Sequence, residues 1–446
     1  MESTAYQQCI VPSCALRYDT REARTACARG HLLDIRYSAS PSPRLKDVFR
    51  SRRNHGGNIF DESGVWRYRE LFNFTGAETE DRDAYGSIFV SLDGGEGQTK
   101  PYKMSKVARE YVGMHPERLH LQPEGLNPSG SFKDNGICTG LTAAKMIGVQ
   151  RTICASTGNT SASLAMYCAN EGMEARVYVP KGQIAPGKLA QAFQFGAEIV
   201  QVEGDFDSAF RTVLEVASRE GRYVMNSVNP FRLEGQKTVI CRALEYFDWE
   251  VPDWIVWPGG NLGNSAAFGK CLAELYEWGF IRKRPRVAVV NAEGANTLYS
   301  LFNGLQGGRR LTWSGGGYDE SLIREYYEYA DRAGLRAETV ASAIMILKPV
   351  NLPKALRTLE EFDGVVTQVG DQEMMDAMAI VGRNGFDCEP ASGATVAGIR
   401  KLVGDGVIAK DDLVLGILTG RMKDPEAVTR YHLDPANRFA MPPRDL

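Results

Sequence analysis

Short apolar runs alternate with longer amphipathic runs through the middle of this chain, and this alternation constrains the fold more than any other feature. The apolar runs predict strands at 152–156, 175–180, 198–202, 223–226, 254–257, 286–291 and, later, 413–418. The amphipathic runs predict helices at 161–171, 188–195, 205–219, 235–247 and 264–278. Strand–helix alternation at this spacing is typical of parallel sheets with helices on both faces. The sequence therefore predicts an α/β protein.

The length of the chain predicts more than one domain. Its 446 residues are too many for a single hydrophobic core. We expect a ribbon-like arm at 1–36, a larger domain at 37–150 and 228–446, and a smaller mobile α/β domain at 151–227. The glycines at 315–317 and the polar stretch that follows, to residue 338, predict a long surface loop.

Composition excludes several classes of partner. Hydrophobic residues make up 43% and charged residues 24%, and the net charge is −3, without a basic stripe, so we expect no nucleic-acid partner. No apolar run approaches membrane-spanning length, and the N-terminus lacks the pattern of a secretory signal. We therefore expect a cytoplasmic protein that acts on a small molecule, without a membrane partner. The oligomeric state stays open, a homodimer being one option.

The nine cysteines fall into two groups. Six lie in apolar or helical runs and are expected to be small buried residues in a reducing compartment; they are Cys138, Cys154, Cys168, Cys241, Cys271 and Cys388. The other three lie near the N-terminus with a histidine, as Cys9, Cys14, Cys27 and His31. These are zinc-ligand types, but their spacing is looser than the C-x2-C of a zinc ribbon. The sequence assigns no metal there and leaves open both zinc and an arm that keeps its shape without metal.

Lys133 lies in a run of small, polar and turn-forming residues that precedes an amphipathic stretch. Pro128 and Gly130 predict a turn, and Ser129 or Ser131 can cap the helix that follows. The lysine amine is therefore expected near a helix N-terminus, where backbone N–H groups favour anions. Such a lysine suits a Schiff base with a phosphorylated aldehyde such as pyridoxal 5′-phosphate (PLP), the alternative being an ordinary solvated lysine.

Two further loops, at 155–161 and 259–265, follow predicted strands, and ligands of parallel sheets bind outside the carboxyl ends of strands. The first loop is rich in hydroxyl groups and suits a carboxylate or phosphate, the alternative being simple helix capping. The second is rich in glycine, which lets backbone N–H groups approach a phosphate closely. It is not a P-loop, because no Lys-Ser or Lys-Thr ends it.

Arg232 and Thr419 also follow predicted strands. Arg232, with Asn226 and Ser227, can hold a second phosphate, because a guanidinium group matches phosphate geometry. The alternative is a surface arginine after a proline turn. Thr419 offers a neutral hydroxyl, and a pyridine nitrogen that faces a hydroxyl stays unprotonated more readily than one that faces aspartate.

These segments together resemble the threonine synthase family of fold-type II PLP-dependent enzymes. The resemblance is carried by residues 131–134, 155–160, 258–264 and 226–238, of which the last segment is the most specific. It extends from about 63 to 425, and the run at 249–254 is most similar to the plant-type enzymes. It implies a tryptophan synthase β-like fold, with two parallel-sheet three-layer domains and the cofactor between them.

The resemblance also implies roles for individual residues, with Lys133 as the Schiff-base lysine and the catalytic residue. The implied PLP contacts are Asn159 at the 3-oxygen, Gly259, Gly260, Asn261, Leu262, Gly263 and Asn264 at the phosphate, and Thr419 at the ring nitrogen. The implied substrate contacts are Thr157 and Thr160 at the carboxylate, and Ser156, Asn226, Ser227, Arg232 and Asn261 at the phosphate.

The implied reaction converts O-phospho-L-homoserine and water into L-threonine and phosphate, by γ-elimination of phosphate and β-addition of water. Other fold-type II reactions stay open: serine or threonine dehydration, β-replacement as in cysteate or cysteine synthase, or a related step of specialised metabolism. A catalytically inactive regulatory homologue is a further alternative, which retention of Lys133 disfavours. Arg232 discriminates among these enzymes, since dehydration and β-replacement need no arginine clamp on a phosphate.

Overall fold

The computed structural model describes residues 5–78, 81–182, 186–304, 308–423 and 425–443. The strands are β1 (Ala5–Cys9), β2 (Arg17–Asp19), β3 (Leu33–Tyr37), β4 (Tyr102–Lys103), β5 (Leu119–Pro123), β6 (Arg151–Ala155), β7 (Glu174–Pro180), β8 (Glu198–Val202), β9 (Tyr223–Val224), β10 (Trp254–Pro258), β11 (Arg286–Ala292), β12 (Val365–Val369) and β13 (Val414–Leu418). The α-helices are α1 (Leu45–His55), α2 (Ile59–Glu62), α3 (Arg82–Gly86), α4 (Ser105–Val107), α5 (Lys133–Met146), α6 (Asn159–Glu171), α7 (Pro186–Gln194), α8 (Phe206–Glu220), α9 (Pro230–Gln236), α10 (Thr238–Tyr246), α11 (Gly263–Glu277), α12 (Thr297–Phe302), α13 (Glu320–Arg332), α14 (Leu352–Glu361), α15 (Asp371–Gly382), α16 (Pro390–Gly404) and α17 (Pro425–Leu433). Short 3-10 helices lie at Trp66–Phe72, Glu124–Leu126 and Ser342–Ile344, and a π-helical turn at Ala108–Val112.

The chain folds into two compact units. The first unit comprises Met1–Gln98, Asn127–Trp249 and Lys270–Arg282, and the second comprises Thr99–Leu126, Glu250–Gly269 and Lys283–Leu446. The predicted division of the chain differs from these units in setting apart a smaller, mobile domain at 151–227. Because it is a statement about motion as well as about contacts, it stays a prediction.

The first unit contains two sheets. A three-stranded antiparallel sheet, in the order β2-β1-β3, forms the N-terminal arm. A four-stranded parallel sheet, in the order β8-β7-β6-β9, is packed against α6 and α8. The sequence of α8 explains both its start and its packing. Asp205 caps its N-terminus, and one face of the helix is apolar and buried. The buried residues of that face are Ala209, Val213, Val216 and Ala217.

The second unit is built on a six-stranded sheet in the order β12-β11-β10-β13-β5-β4, parallel except for β4. Strands β10 and β13 are buried along their whole length, which explains why they are continuous apolar runs. Gly416 in β13 is required by packing, since a Cβ there would lie 2.6 Å from Leu121 Cδ2. The predicted parallel α/β architecture is thus confirmed. Nowhere among the described residues is there a helix long and apolar enough to cross a membrane.

Two predictions of local structure are wrong. The stretch to residue 338 is not all loop, because it contains α13, whose Leu322, Tyr326 and Ala330 are buried at a spacing of four residues. The helix predicted at 235–247 is two helices, α9 and α10, and the first begins earlier than expected. Asn229 caps α9 and Pro230 occupies its first turn, a combination that favours a helix start.

A buried network of four charges lies inside the first unit. Lys237 contacts Glu234 and Glu274 at 2.7 Å each, and Lys270 contacts the same two carboxylates at 2.8 and 2.5 Å. The hydroxyl of Tyr37, at the end of β3, donates to Glu234 at 2.6 Å. Burial alone would lower the pKa of Lys237, but the two carboxylates raise it, so the lysine stays charged.

We expect Lys270→Ala to lower the free energy of unfolding by about 3–5 kcal/mol, because it leaves buried carboxylates with one cation fewer. Urea unfolding of the PLP-bound protein measures the effect. The matched control is Lys181→Ala, which removes the exposed contact with Glu203 and should cost less than about 1 kcal/mol. Equal losses in the two variants would contradict the inferred importance of the buried network.

Candidate active site

Lys133 is the first residue of α5, so its predicted position at a helix start is confirmed. The side chain is partly buried, and Nζ lies 4.0 Å from the centroid of the Phe132 ring. The hydroxyl oxygen of Ser131 lies 3.4 Å from the Lys133 backbone N–H. Lys133 therefore projects from a fixed position at the N-terminal end of the helix.

Asp134 holds the turn before this helix, a role that the sequence did not predict. Its fully buried carboxylate accepts hydrogen bonds from the Ser129 backbone N–H at 2.7 Å, from the Ser129 hydroxyl, and from the Ser163 hydroxyl at 2.5 Å. Ser129 thus bonds to Asp134 instead of capping the helix, which corrects one of the two predicted caps. The only sequence signal for this role of Asp134 was its position as an acidic residue directly after the lysine, in the first turn of the helix.

The loop after β6 leads into α6, which begins at Asn159. Asn159 is buried, whereas Ser156, Thr157 and Thr160 are partly exposed. The Ser156 hydroxyl oxygen accepts from the backbone N–H groups of Gly158 and Ser161, at 3.2 and 3.3 Å. Ser156 therefore caps the helix, and its hydroxyl hydrogen can still donate to an anion.

Asn226 hydrogen-bonds to the last residue of β6, where this loop begins. Its amide oxygen accepts from the Ala155 backbone N–H and its amide nitrogen donates to the Ala155 carbonyl, both at 2.9 Å. The predicted phosphate contact of Asn226 must therefore use the remaining amide hydrogen. Ser227 follows directly and is partly buried.

Arg232 on α9 is a buried cation, 1% exposed. Its Nη1 donates to the Met225 carbonyl at 2.6 Å, whereas its buried Nε has no hydrogen-bond acceptor among the described residues. Burial lowers the pKa of Arg232 to about 10, which leaves it protonated at neutral pH. A buried charge of this kind is costly without an anionic partner, so the site fits a phosphate.

Glycines allow the helices that carry Lys133 and Arg232 to pack in direct contact. A Cβ at Gly140 of α5 would lie 2.8 Å from Arg232 Cγ, and one at Gly235 of α9 would lie 1.8 Å from the Asn135 carbonyl oxygen. A side chain at Gly235 would force the backbones apart, and one at Gly140 would displace the side chains of Arg232 and Met225. The small residues of this region therefore bring α5 and α9 together within the first unit.

In the second unit, the glycine loop joins β10 to α11. A Cβ at Gly259 would lie 2.6 Å from Val289 Cγ1, and one at Gly260 would lie 2.8 Å from Ile344 Cα. Leu262 adopts a left-handed backbone with φ 60°, and α11 begins at Gly263. The loop is thus a tight, glycine-rich turn that leads into the N-terminus of a long helix, an arrangement (the glycine cradle) that suits a phosphate.

The two asparagines of this loop bond mainly to the protein itself. Asn264 Nδ2 donates to the Pro258 carbonyl at 2.7 Å, and Asn261 Oδ1 accepts from the Val350 backbone N–H at 2.7 Å. These bonds fix the shape of the cradle. The phosphate contacts predicted at 259–264 are therefore expected to come chiefly from backbone N–H groups.

Thr419 lies at the end of β13 and is 4% exposed. Its hydroxyl donates to Glu389 Oε1 at 3.2 Å and lies 3.4 Å from the Ser392 hydroxyl. The sequence did not indicate that Glu389 is a neighbour of Thr419, although Glu389 lies immediately before the first residue of α16. Because Glu389 accepts the Thr419 hydrogen, the hydroxyl oxygen remains as an acceptor, which would suit a protonated ring nitrogen and differs from the unprotonated nitrogen expected from the sequence.

Each unit, taken by itself, contains groups that suit a part of PLP. The first unit offers the lysine amine at a helix start, and the second offers the glycine cradle for a phosphate and a buried hydroxyl for a ring nitrogen. The cradle is the deciding observation, because the glycine loop leads into the N-terminus of α11, where backbone N–H groups favour an anion.

Comparisons with known proteins agree with this assignment. Residues 92–420 match the family described as pyridoxal-phosphate dependent enzyme. Threonine synthase of Methanocaldococcus jannaschii is 36% identical over 431 residues, 96% of this chain and 95% of the relative. The chloroplastic threonine synthase 2 of Arabidopsis thaliana is 30% identical over 456 residues, 97% of this chain and 80% of the relative.

A solved structure confirms the fold. The fungal L-serine ammonia-lyase from Rhizomucor miehei matches with a TM-score of 0.58 at 18% identity, over 75% of this chain and 98% of that one. At this identity the match concerns the fold alone, and it agrees with the predicted fold-type II class. Since the family match spans most of the chain and threonine synthases match it almost from end to end, the chain belongs to the threonine synthase family of PLP-dependent enzymes.

Proposed function

We propose that this protein is a threonine synthase, which converts O-phospho-L-homoserine and water into L-threonine and phosphate. The observation that carries the proposal is Arg232, a buried cation without a carboxylate within ion-pair distance in the described part of the chain. A phosphate-bearing substrate supplies the missing anion. The similarity to two proteins named threonine synthase, along nearly the whole chain, supports the same reaction.

We assign cofactor contacts separately in each unit. In the first unit, Lys133 would hold PLP through its amine, and Asn159 would bind the 3-oxygen. In the second unit, the backbone of residues 259–264 would hold the cofactor phosphate, and Thr419 would serve the ring nitrogen. When bound, PLP supplies an electron sink for negative charge that develops on the substrate carbons.

The first unit deprotonates the substrate and supplies most of the groups that hold it. Thr157 and Thr160 bind the carboxylate, and the Lys133 amine, once the incoming substrate amine has released it, takes the proton from Cα and then moves a proton at Cβ. Arg232 binds the phosphate, so its charge stabilises the negative charge that grows on the leaving oxygen as the Cγ–O bond breaks. The remaining proposed phosphate contacts are Ser156, Asn226, Ser227 and Asn261.

Water must be excluded until phosphate has left, because it adds at Cβ only in the second half of the reaction. We propose that motion of residues 151–227 provides this control, as closure of a small domain does in many enzymes. A cytoplasmic location and a homodimeric assembly likewise stay predictions, which cell fractionation and light scattering test.

Product analysis separates this function from the dehydratase alternative. With O-phospho-L-homoserine as substrate, we expect phosphate and L-threonine to form in equal amounts. With L-serine or L-threonine, we expect little 2-oxo acid, because neither substrate carries the anion that Arg232 binds. Rapid 2-oxo acid formation without turnover of O-phospho-L-homoserine would favour a dehydratase.

A further inference from the structure

The N-terminal arm brings four potential metal ligands together. The three thiols of Cys9, Cys14 and Cys27 and the imidazole of His31 offer ligand atoms that all lie within 4.8 Å of one another. All four residues are described, and the three cysteines are free thiols. Their loose spacing in sequence left this arrangement open, whereas the folded arm places them in one cluster.

Two of the separations match the edges of a zinc tetrahedron. Zinc–sulfur bonds of about 2.3 Å and zinc–nitrogen bonds of about 2.0–2.1 Å place two sulfurs about 3.8 Å apart, and a sulfur and a nitrogen about 3.5 Å apart. In the arm, Cys14 Sγ lies 3.9 Å from Cys27 Sγ, and Cys9 Sγ lies 3.4 Å from His31 Nδ1. The two pairs therefore already have the spacing that a single ion requires.

Two tight turns impose this arrangement through the backbone. In the first turn, the backbone N–H groups of Cys14 and Ala15 both donate to the Val11 carbonyl, at 3.0 and 3.1 Å. In the second, the Cys27 backbone N–H donates to the His31 carbonyl at 2.8 Å, around Gly30 with φ 86°. Each turn thus presents two ligands on one side, as paired ligand loops in structural zinc sites do.

The surroundings suit thiolates bound to a cation. The Arg29 backbone N–H lies 3.4 Å from Cys27 Sγ, where it stabilises negative charge on the sulfur. Cys9 and Cys27 are buried, with Leu33 as the third member of a very small apolar cluster. A metal ion bound here would cross-link three short strands, of five, three and five residues, at the end of the sheet where this small cluster lies.

We infer that Cys9, Cys14, Cys27 and His31 bind one structural Zn²⁺ in a closed tetrahedral Cys3His site. Three thiolates and one imidazole are a zinc ligand set, and four protein ligands leave no open position for catalysis. The ion stabilises the sheet that ends in Tyr37, whose hydroxyl donates to Glu234 on α9. Its role is therefore to hold the arm on the first unit, separately from the chemistry proposed for Lys133 and Arg232.

Metal analysis of the PLP-bound full-length protein tests the site. After purification without added metal or chelator, we expect about one zinc per chain by mass spectrometry of the elements. X-ray absorption at the zinc edge should show three sulfurs and one nitrogen at about 2.3 and 2.0 Å. Zinc-free protein, iron in place of zinc, or a Cys14–Cys27 disulfide in the native protein would overturn the inference.

Matched variants locate the ion. Cys14→Ser and His31→Ala should lose zinc and unfold at lower temperature, while Cys168→Ala and His55→Ala should keep full zinc occupancy. We expect kcat of the folded Cys14→Ser enzyme to stay within about twofold, because no ligand touches substrate or PLP in the proposed mechanism. If Cys14→Ser does not fold, chelation of zinc from the wild-type protein gives the same comparison. Zinc retained by both ligand variants would refute the assignment of the zinc site. Failure of the proposed reaction in zinc-replete protein would contradict the proposed function and leave the zinc site unaffected.

Discussion

Replacing Lys133 with alanine is expected to reduce turnover by about a thousandfold or more while PLP still binds. The reason is that in the proposed mechanism Lys133 alone supplies the amine that moves protons at Cα and Cβ, whereas the cofactor phosphate is assigned to other residues. Absorbance of bound PLP after gel filtration measures retention, and phosphate release measures turnover. The control is Lys145→Ala, which alters a partly buried lysine on the same helix, paired with Glu171, and should stay active.

Chemical labelling of the native protein checks the same assignment without a mutation. Borohydride reduction should fix PLP covalently on Lys133, as peptide mass spectrometry would show. The label should be absent from Lys237, whose ammonium is held between two buried carboxylates. PLP found on Lys237 or Lys423 would mean that another lysine holds the cofactor.

Replacing Arg232 with alanine should lower kcat/KM for O-phospho-L-homoserine by more than about tenfold, without loss of the covalent lysine–PLP bond. Removing one partner of a desolvated charge pair costs about 2–5 kcal/mol, and here the loss falls on binding and departure of the phosphate. Arg232→Lys should recover part of the activity, since it keeps the charge but loses the paired N–H geometry.

Exchange of the Cα hydrogen distinguishes a phosphate clamp from general damage to the site. An amino acid without phosphate, such as L-2-aminobutyrate, needs Lys133 for exchange with D₂O but does not need Arg232. Proton NMR should therefore show similar exchange rates in the wild type and in Arg232→Ala. Parallel loss of exchange and of phosphate release would place Arg232 in a structural role, and unchanged kinetics would place the clamp elsewhere.

The strands were predictable because their signal is local. A run such as the one in β10 is apolar throughout and is buried on both faces, so burial follows directly from the residues themselves. Helix α13 was missed because the glycines before it and its many charged residues indicated a loop. Its helical signal consisted of only three apolar residues at a spacing of four. The start of α9 was missed although Asn229 and Pro230 form a recognisable helix start.

Candidate site residues could be proposed from the sequence where a residue type alone suggests the chemistry, as for Lys133 and the glycines of 259–263. It was not predictable where the role depends on contacts between residues distant in sequence. Asp134 is held by Ser163, and Asn226 pairs with Ala155, and neither contact leaves a local pattern. The proposed zinc ligands were recognisable by residue type, but their irregular spacing left the assignment open, and only the folded arm shows their ligand atoms within 4.8 Å of one another.

The proposed reaction is tested most directly by turnover of O-phospho-L-homoserine in water enriched in ¹⁸O. If the Cγ–O bond breaks and water adds at Cβ, the label should enter the hydroxyl of L-threonine, and the released phosphate should carry none. Mass spectrometry of both products measures this. Label in the phosphate, or phosphate released without L-threonine, would contradict the proposal.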